Sequence, residues 1–322
     1  MEYRRLGRAG VRVSAISLGS WLTYGGAVED RTAIACIHRA YDLGINFFDT
    51  ANQYRRGGAE EVVGRALKDF PRDSYVLATK VFFPMGEGPN DRGLSRKHIM
   101  EQCHASLRRL GMDYIDLYQC HRYDPETPLE ETLRALDDLV TQGKVLYVGV
   151  SEWSAMQIAD AVYLARGLNL DRIVSNQPIY NMLQRYVERD IIPLCEREGI
   201  GQVVFSPLAQ GVLTGKYRPG QPPEQGTRAA DPESNMFMHD LMKDETLAAV
   251  QRLQGAAAEA GYPLAQLALA WVLRQPNVSS AITGASRPQQ VDENVRAAAI
   301  TLPDDLLRRI DDTLGSAVRY ER

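Results

Sequence analysis

Tyr75-Val76-Leu77-Ala78 and Ile115-Asp116-Leu117-Tyr118 are two short, mostly apolar runs on either side of an amphipathic segment formed by residues 95–110. Consecutive apolar positions are typical of strands that are covered on both faces. In residues 95–110, apolar side chains recur at i, i+3 and i+4, which is the spacing of one helix face. A strand, a helix and a second strand in this order predict a parallel β-α-β unit.

The same alternation extends from about residue 14 to about residue 300 without a linker. Six further runs raise the number of predicted strands to eight: residues 15–18, 46–48, 145–148, 173–175, 202–205 and 279–282. The predicted amphipathic helices cover residues 31–43, 59–70, 95–110, 128–142, 154–165, 188–198 and 264–274. Eight strands in one such series predict an α/β fold, a (β/α)8 TIM barrel, with residues 1–322 as a single domain.

A doubly wound nucleotide-binding sheet is the main alternative fold. Such a sheet usually carries Gly-x-Gly-x-x-Gly between its first strand and first helix, and this pattern occurs nowhere in the chain. The corresponding turn reads Leu18-Gly19-Ser20-Trp21. The absence of the motif favours the barrel.

Two segments lie outside the alternation. Residues 3–6 and 11–13 resemble two short strands about a turn, and we expect this N-terminal β-hairpin to close the bottom of the barrel. Residues 217–235, after the seventh predicted strand, are rich in Pro, Gly and polar residues and predict a long loop. The pattern leaves open whether this loop is a surface excursion or a lid over a bound ligand.

The composition excludes several classes of protein. The chain has 322 residues, and 41 acidic against 37 basic side chains give a net charge of −4, which excludes a polybasic protein that binds nucleic acid or a membrane surface. No apolar run approaches the length of a membrane span, and the first residues lack the apolar stretch of a signal peptide. The cysteines include no Cys-x-x-Cys pair, which argues against a disulfide framework or a zinc site; they are Cys36, Cys103, Cys120 and Cys195. We expect a soluble, cytoplasmic protein without a metal.

Four polar residues follow three neighbouring predicted strands. Asp49 and Tyr54 come after the second strand, Lys80 after the third and His121 after the fourth. The loops at the carboxyl ends of barrel strands form one face, so these side chains are expected to converge there. Taken singly, each residue also fits an ordinary role as a turn former, a packing aromatic, a surface charge or a satisfied polar group.

Together the four residues fit the reduction of a carbonyl group. The oxygen that gains negative charge needs a proton donor, and a tyrosine hydroxyl serves well when a nearby cation stabilises its phenolate. We expect Lys80 to be that cation and Asp49 to keep Lys80 charged and in place. His121 is expected to hydrogen-bond either the substrate oxygen or the Tyr54 hydroxyl.

At this point the sequence resembles the aldo-keto reductases, from Leu6 to about Leu302. The matching motifs are Asn46-Phe47-Phe48-Asp49-Thr50-Ala51-Asn52-Gln53-Tyr54, Thr79-Lys80 and residues 113–121, 143–151, 176–181 and 206–211. Residues 205–208, 214–217 and 284–286 resemble the branch that includes the potassium channel β subunits and their bacterial relatives. The resemblance implies NADPH-dependent carbonyl reduction with Tyr54 as proton donor. The animal channel subunits have Asn where this chain has His121, which favours a working enzyme here.

The resemblance also implies where a nicotinamide nucleotide binds. Ser151 and Gln177 match the residues that hold the nicotinamide carboxamide, whereas Glu152 replaces the usual Asn and is left out of that site. Phe205 is expected to stack on the nicotinamide ring. The other contacts expected at the nicotinamide and phosphates are Ser20, Trp21, Asp49, Ser206, Pro207, Leu208, Gln210, Lys216 and Arg228.

The adenosine end is expected where the last strand runs into Pro288, a residue suited to the first turn of a helix that continues to about Ala298. A helix start suits a phosphate, although a plain cap by Ser286 is the ordinary alternative. The resemblance assigns the adenosine contacts to Gly284, Ser286, Gln290, Glu293 and Asn294. Many family members have Arg at the position of Gln290, so Arg287 is expected to supply the charge that selects NADPH over NADH.

These observations predict an NADPH-dependent reductase of aldehydes and some ketones. Aromatic residues crowd the same face, and if half of them line the pocket it is apolar and fits an aromatic or medium-chain aldehyde; they are Trp21, Tyr24, Phe82, Phe83, Tyr123 and Trp153. One alternative is a redox-sensing subunit that retains NADPH and signals to a partner, and another is a lyase with Lys80 as a Schiff-base nucleophile. Assembly into a homo-oligomer is left open.

Overall fold

The computed structural model describes residues 1–21, 24–25, 28–232, 235 and 237–321. Eight parallel strands form a closed barrel in the order β10-β3-β4-β5-β6-β7-β8-β9. The strands are β3 (Ile16–Gly19), β4 (Phe47–Asp49), β5 (Val76–Val81), β6 (Ile115–Cys120), β7 (Val145–Ser151), β8 (Ile173–Gln177), β9 (Gly201–Val204) and β10 (Val278–Thr283). The predicted (β/α)8 TIM barrel is therefore confirmed.

An N-terminal hairpin precedes the barrel, as predicted. Its strands, β1 (Tyr3–Arg5) and β2 (Arg12–Ser14), pair antiparallel with Tyr3 opposite Ser14. Leu6 and Val13 are fully buried and belong to an apolar cluster with Phe47 of β4. The hairpin thus covers the amino ends of the barrel strands, away from the face on which their carboxyl ends meet.

Ten helices surround the barrel in the described part of the chain. They are α1 (Asp30–Asp42), α2 (Gly58–Leu67), α3 (Arg96–Leu110), α4 (Leu129–Thr141), α5 (Ala155–Leu168), α6 (Ile191–Glu198), α7 (Asp244–Glu259), α8 (Leu264–Leu273), α9 (Pro288–Val295) and α10 (Asp304–Leu314). Local chemistry sets several of their ends: Ser154 and Gln157 form a capping box at the start of α5, and Ser95 accepts a hydrogen bond from the His98 amide at the start of α3. The main apolar core lies between these helices and the barrel wall.

Two helices, α7 and α10, lie outside the predicted segments. Helix α7 shares the connection between β9 and β10 with α8, so a pattern of one helix for each connection misses it. Helix α10 follows the last strand–helix unit. Helix α9 is shorter than predicted and continues as one 3-10 turn, Arg296–Ala299.

The loop after β9 is anchored at several points. Gln251 of α7 donates hydrogen bonds to the carbonyl oxygens of Gly215 and Tyr217, at 2.9 and 3.0 Å. The Asp244 carboxylate accepts one from the amide of Gly220 at 2.9 Å. Residues 233 and 234 of the predicted loop are outside the described residues.

Other features bear on the sequence predictions. All four cysteines are free and buried, and burial raises the pKa of Cys103, Cys120 and Cys195 to about 12. Over the described ranges, no group of three or more His, Cys, Asp or Glu side chains is arranged to hold a metal ion. No helix in those ranges has both the length and the apolar character that a membrane crossing requires.

Candidate active site

A cavity of about 1920 Å³ opens at the carboxyl ends of the barrel strands. It runs from Tyr54 and His121, after β4 and β6, to Gln290 and Glu293 on α9. Segment 225–231 of the loop after β9 contributes several of its wall residues. The cavity therefore lies between the ends of several strands and the long loop after β9. This is the loop for which the sequence allowed either a surface excursion or a lid.

The structure brings the four predicted catalytic side chains together, and we call Asp49, Tyr54, Lys80 and His121 the polar cluster. The Lys80 ammonium donates to Asp49 Oδ1 at 2.5 Å, to the carbonyl oxygen of Thr50 at 2.8 Å and to the Tyr54 hydroxyl at 3.4 Å. The rings of Tyr54 and His121 lie 5.7 Å apart, nearly perpendicular. Adjacent parallel strands supply Asp49 and Lys80, so backbone pairing fixes their relative height.

Burial dominates the protonation of the polar cluster. It raises the pKa of Tyr54 well above its ordinary value, with Asp49 adding to the rise and Arg122 opposing it. Burial lowers the pKa of Lys80, although Asp49 opposes this shift. Burial, followed by Lys80 and Arg122, lowers the pKa of His121 well below its ordinary value. At neutral pH the phenol is therefore protonated and the imidazole neutral.

This balance differs from the expectation that Lys80 would make the Tyr54 phenolate readily accessible. Burial of the phenol is the main cause of the raised Tyr54 pKa, the Asp49 carboxylate adds to it, and the opposing charge of Arg122 does not outweigh them. A protonated phenol is the form that a proton donor in carbonyl reduction requires. The Schiff-base alternative finds no support, since Lys80 is fully buried and held by Asp49 beneath the cavity wall.

A pair of glutamines connects the polar cluster to the predicted carboxamide site. Asp49 Oδ2 accepts hydrogen bonds from Gln177 Nε2 at 2.9 Å and from Gln119 Nε2 at 3.4 Å. The Ser151 hydroxyl donates to the main-chain oxygen of Gln177 at 2.8 Å. The sequence analysis missed Gln119, and its only signal was its place two residues before His121, opposite Lys80 in the strand register.

Glu152 takes part in the wall of the cavity. It has a positive φ of 58°, and its carboxylate accepts hydrogen bonds from the Ile179 amide at 2.7 Å and the Tyr186 hydroxyl at 2.8 Å. These bonds hold the carboxylate against β8 and the segment that follows. Its omission from the predicted carboxamide site agrees with this geometry.

The loop after β9 forms the middle of the cavity wall. Ser206 and Gln210 both have positive φ angles, 52° and 58°, which turn the chain sharply. The Gln210 side chain donates to the Ser206 hydroxyl and accepts from Arg228, and the Arg228 guanidinium lies 6.0 Å from the Trp21 ring. Segment 225–231 is thereby tied to the strand ends. Other predicted contacts on this wall are Phe205, Pro207, Leu208 and Lys216.

The last part of the wall comes from the segment after β10. Gly284, Ser286 and Arg287 border the cavity with Gln290 and Glu293. The first residue of α9 is Pro288, as predicted, but the residue at the helix cap is Arg287, so Ser286 is not the cap. Instead, Gln290 Oε1 accepts hydrogen bonds from the Ser286 amide and hydroxyl at 2.7 and 3.2 Å.

Two predicted cofactor contacts do not border the cavity. The Ser20 hydroxyl is buried and donates to the Thr50 hydroxyl at 2.9 Å, so it is already used in joining two strand ends. Asn294 is on the buried face of α9. In this arrangement neither side chain lines the cavity, and their contacts to a nucleotide remain predictions.

A family model described as the aldo/keto reductase family matches residues 15–314. The chain belongs to the aldo-keto reductase family. Its relatives include probable voltage-gated potassium channel β subunits of Oryza sativa subsp. japonica, 46% identical over 92% of this chain and 91% of the relative, and of Arabidopsis thaliana, 45% identical over 98% and 97%. A putative voltage-gated potassium channel β subunit of Schizosaccharomyces pombe is 45% identical over 100% of this chain and 96% of the relative.

The cavity of this aldo-keto reductase has a donor set that suits the nicotinamide nucleotide generally bound by the family. Lys216, Arg228 and Arg287 supply positive charge along the wall, as phosphates require. At the other end, Gln177 borders the cavity and uses its amide nitrogen on Asp49, which leaves its amide oxygen to accept from a carboxamide NH₂ group. The residues present therefore fit such a nucleotide.

Fewer than half of the six aromatic residues predicted near the pocket border the cavity of this aldo-keto reductase. Of the six aromatic residues, Trp21 and Phe83 border the cavity. Tyr24 and Trp153 are buried, and Tyr123 packs edge-on against Trp153. Phe82 packs against Phe83, behind the wall. Charged side chains share the wall with the remaining rings: Arg122, Glu152, Arg228 and Asp231.

Proposed function

We propose that this aldo-keto reductase is an NADPH-dependent oxidoreductase that reduces aldehydes, and some ketones, to alcohols with Tyr54 as proton donor. The observation that carries the proposal is the hydrogen-bonded series Asp49–Lys80–Tyr54 beside His121 at the cavity wall. In the balanced reaction, a carbonyl compound, NADPH and one proton give an alcohol and NADP⁺. We further propose that the single domain acts in the cytoplasm.

Each member of the polar cluster has a distinct part in this proposal. Bound NADPH supplies the hydride that reduces the carbonyl carbon. Tyr54 gives its proton to the carbonyl oxygen as negative charge develops there, and the Lys80 ammonium at 3.4 Å stabilises the phenolate that remains. The neutral imidazole of His121 orients the carbonyl oxygen, and solvent then returns a proton to Tyr54.

The same proposal assigns the nucleotide contacts. Ser151 and Gln177 hold the carboxamide, and the ring of Phe205 packs on the nicotinamide. Residues of the wall between β9 and α9 would hold the phosphates, and Arg287 would select NADPH over NADH. Segment 225–231 acts as a lid, because the Arg228–Gln210 contact must open for exchange of the nucleotide. The proposed contacts to the phosphates and adenosine are Trp21, Ser206, Pro207, Leu208, Gln210, Lys216, Arg228, Gly284, Ser286, Arg287, Gln290 and Glu293.

Substitution Tyr54→Phe tests the proposed proton donor. Loss of the hydroxyl is expected to reduce kcat by about 100-fold or more while the NADPH Kd changes by less than about threefold, because the hydroxyl serves the transition state. Oxidation of NADPH is followed by absorbance with a panel of aldehydes, and binding by fluorescence titration. The matched control is Tyr163→Phe, an exposed position on α5. Full activity of the Tyr54 variant would refute the assignment.

A second candidate function is a redox-sensing subunit that holds NADPH and signals to a protein partner. The names of three relatives at 45–46% identity favour it. It predicts that nucleotide remains bound through gel filtration and that one aldehyde is reduced for each bound NADPH, without repeated turnover. Sustained cycling in excess NADPH supports the enzyme instead.

A further inference from the structure

Arg122 follows His121 directly and borders the same cavity. Its Nη1 donates to the main-chain oxygen of His121 at 2.6 Å, and its guanidinium carbon lies 5.5 Å from the centre of the Phe83 ring. In the described part of the chain, its remaining N–H groups have no hydrogen-bond acceptor, and no carboxylate lies within ion-pair distance of it. A half-buried guanidinium therefore faces the cavity without a counter-ion.

Three other charged groups at or beside the cavity already have partners. Lys80 is paired with Asp49, and Arg319 lies 2.9 Å from Asp240. The Glu152 carboxylate accepts from an amide and a phenol, as described above. Arg122 thus differs from its neighbours in having donors left over.

Distance places Arg122 within reach of a molecule that reacts at Tyr54. The His121 ring lies 4.9 Å from the Phe83 ring and 5.7 Å from the Tyr54 ring, so one wall carries the phenol, the imidazole and the phenyl ring. The hydrogen bond to the His121 main chain holds Arg122 beside the polar cluster, and its charge accordingly favours a lower pKa at both Tyr54 and His121. A guanidinium presents its N–H groups as a planar fork, the geometry that matches a carboxylate.

We propose that Arg122 binds a carboxylate on the substrate, so that the preferred substrates are aldehydes that also carry an acidic group. The inference rests on the proposed carbonyl reduction at Tyr54. The carbonyl oxygen lies at the Tyr54 hydroxyl, the carboxylate pairs with Arg122, and the carbon skeleton between them lies against Phe83. The expectation of an aromatic or medium-chain apolar aldehyde is thereby replaced by an anionic oxo acid.

Two pairs of compounds test the proposal: 4-oxobutanoate with its methyl ester, and 4-formylbenzoate with its methyl ester. Within each pair only the charge differs substantially, so the ratio of kcat/KM for acid over ester measures recognition of the carboxylate. In Arg122→Gln this ratio is expected to fall by about tenfold to 100-fold for at least one pair, as for loss of a charge-assisted hydrogen bond. Any general effect of the substitution on the polar cluster divides out of the ratio.

Two further variants sharpen the result. Arg56→Gln removes the same charge from an exposed position two residues after Tyr54 that does not border the cavity, and its ratio should stay within about twofold of the unsubstituted protein. Arg122→Lys keeps a charge without the planar fork and should give an intermediate ratio. An equal fall of the ratio in the Arg56 variant would show a diffuse charge effect and overturn the proposal.

Binding of the four compounds, measured by calorimetry in the presence of NADP⁺, separates this inference from the proposed function. Tighter binding of the acids that is lost in Arg122→Gln supports the carboxylate site even if no aldehyde is turned over, in which case the proposed reduction alone fails. If the esters are reduced as efficiently as the acids and bind as well in both pairs, the carboxylate site is refuted while the reductase stands. In the unsubstituted protein, the acid-over-ester ratio should also fall as salt is added, so the test survives a variant that does not fold.

Discussion

The Asp49→Asn substitution removes one negative charge from the base of the cavity and keeps the size of the side chain. Lys80, which is fully buried, then loses the partner that opposes the lowering of its pKa by burial. The carbonyl oxygen of Thr50, at 2.8 Å, remains as an acceptor but carries no full charge. We expect Lys80 to lose its proton in the folded variant at neutral pH.

The cost of that deprotonation can be worked out. An unfolded lysine has a pKa near 10.4, so holding it neutral at pH 7 costs at most about 4.6 kcal/mol, or 1.36 kcal/mol for each of the 3.4 pH units. The range of about 3–5 kcal/mol for breaking one side of a buried ion pair agrees with this limit. Because the unfolded variant binds more protons than the folded one, the deficit shrinks as pH rises, to about 1.2 kcal/mol at pH 9.5.

Urea denaturation followed by tryptophan fluorescence measures the effect, since Trp153 and Trp271 are buried. The free energy of unfolding of Asp49→Asn relative to the unsubstituted protein is determined at pH 7 and pH 9.5. Removing both charges, in Asp49→Asn with Lys80→Met, should abolish the dependence of the deficit on pH. A deficit below about 1 kcal/mol at pH 7, or one that is equal at the two pH values, would contradict the proposed origin.

The remaining predictions concern stability elsewhere in the barrel. Arg109→Met removes the cation that lies 2.6 Å from Glu60, which is 0% exposed, and leaves this carboxylate with only the Thr79 hydroxyl as a side-chain donor among the described residues. The substitution should lower the free energy of unfolding by about 3–5 kcal/mol in urea titrations. Gly64→Ala should be destabilising by about 1–3 kcal/mol on the same assay, although it improves helix propensity, because its Cβ would lie 2.3 Å from the Leu110 carbonyl oxygen.

Each of these two substitutions has a matched control in the chain. Arg108→Met removes an exposed arginine from the same helix, α3, and should change the unfolding free energy by less than about 0.5 kcal/mol. Gly167→Ala lies in α5 with no atom within 4 Å of the new Cβ, and should stabilise by about 0.5–1 kcal/mol. If either control changed the free energy of unfolding as much as the substitution that it is paired with, the buried contact would not be the cause of the destabilisation.

The fold was predictable because strand and helix patterns alternate with different periods along the chain. The carboxyl ends of the strands were not predictable, because β5 extends past Lys80 and β7 extends to Ser151. These two residues are polar and buried, and they continue the parallel backbone pairing at the carboxyl ends of their strands. The predicted strands stopped before Thr79 and before Gly149, whereas hydrogen bonding between neighbouring strands sets the actual ends.

The convergence of the polar cluster could be predicted from residue types at the strand ends, whereas contacts between distant segments of the chain could not. Gln119 matters through its distance to Asp49, a relation set by the barrel register. The direction of the Tyr54 pKa shift depends on the balance between burial and the nearby charges of Asp49 and Arg122. A sequence motif does not contain this balance. Ser20 was assigned from the family resemblance, which does not contain the hydrogen bond from its hydroxyl to the Thr50 hydroxyl.

The buried, weakly acidic thiols described above leave the surface of the folded protein without a reactive sulfur. Maleimide or a spin label should therefore find almost no native target under mild conditions. A single cysteine introduced into segment 225–231 would then carry the only label, and the four native cysteines would not have to be replaced first. Spectroscopy of that single label would report how often the segment moves away from the cavity, without a signal from the native cysteines.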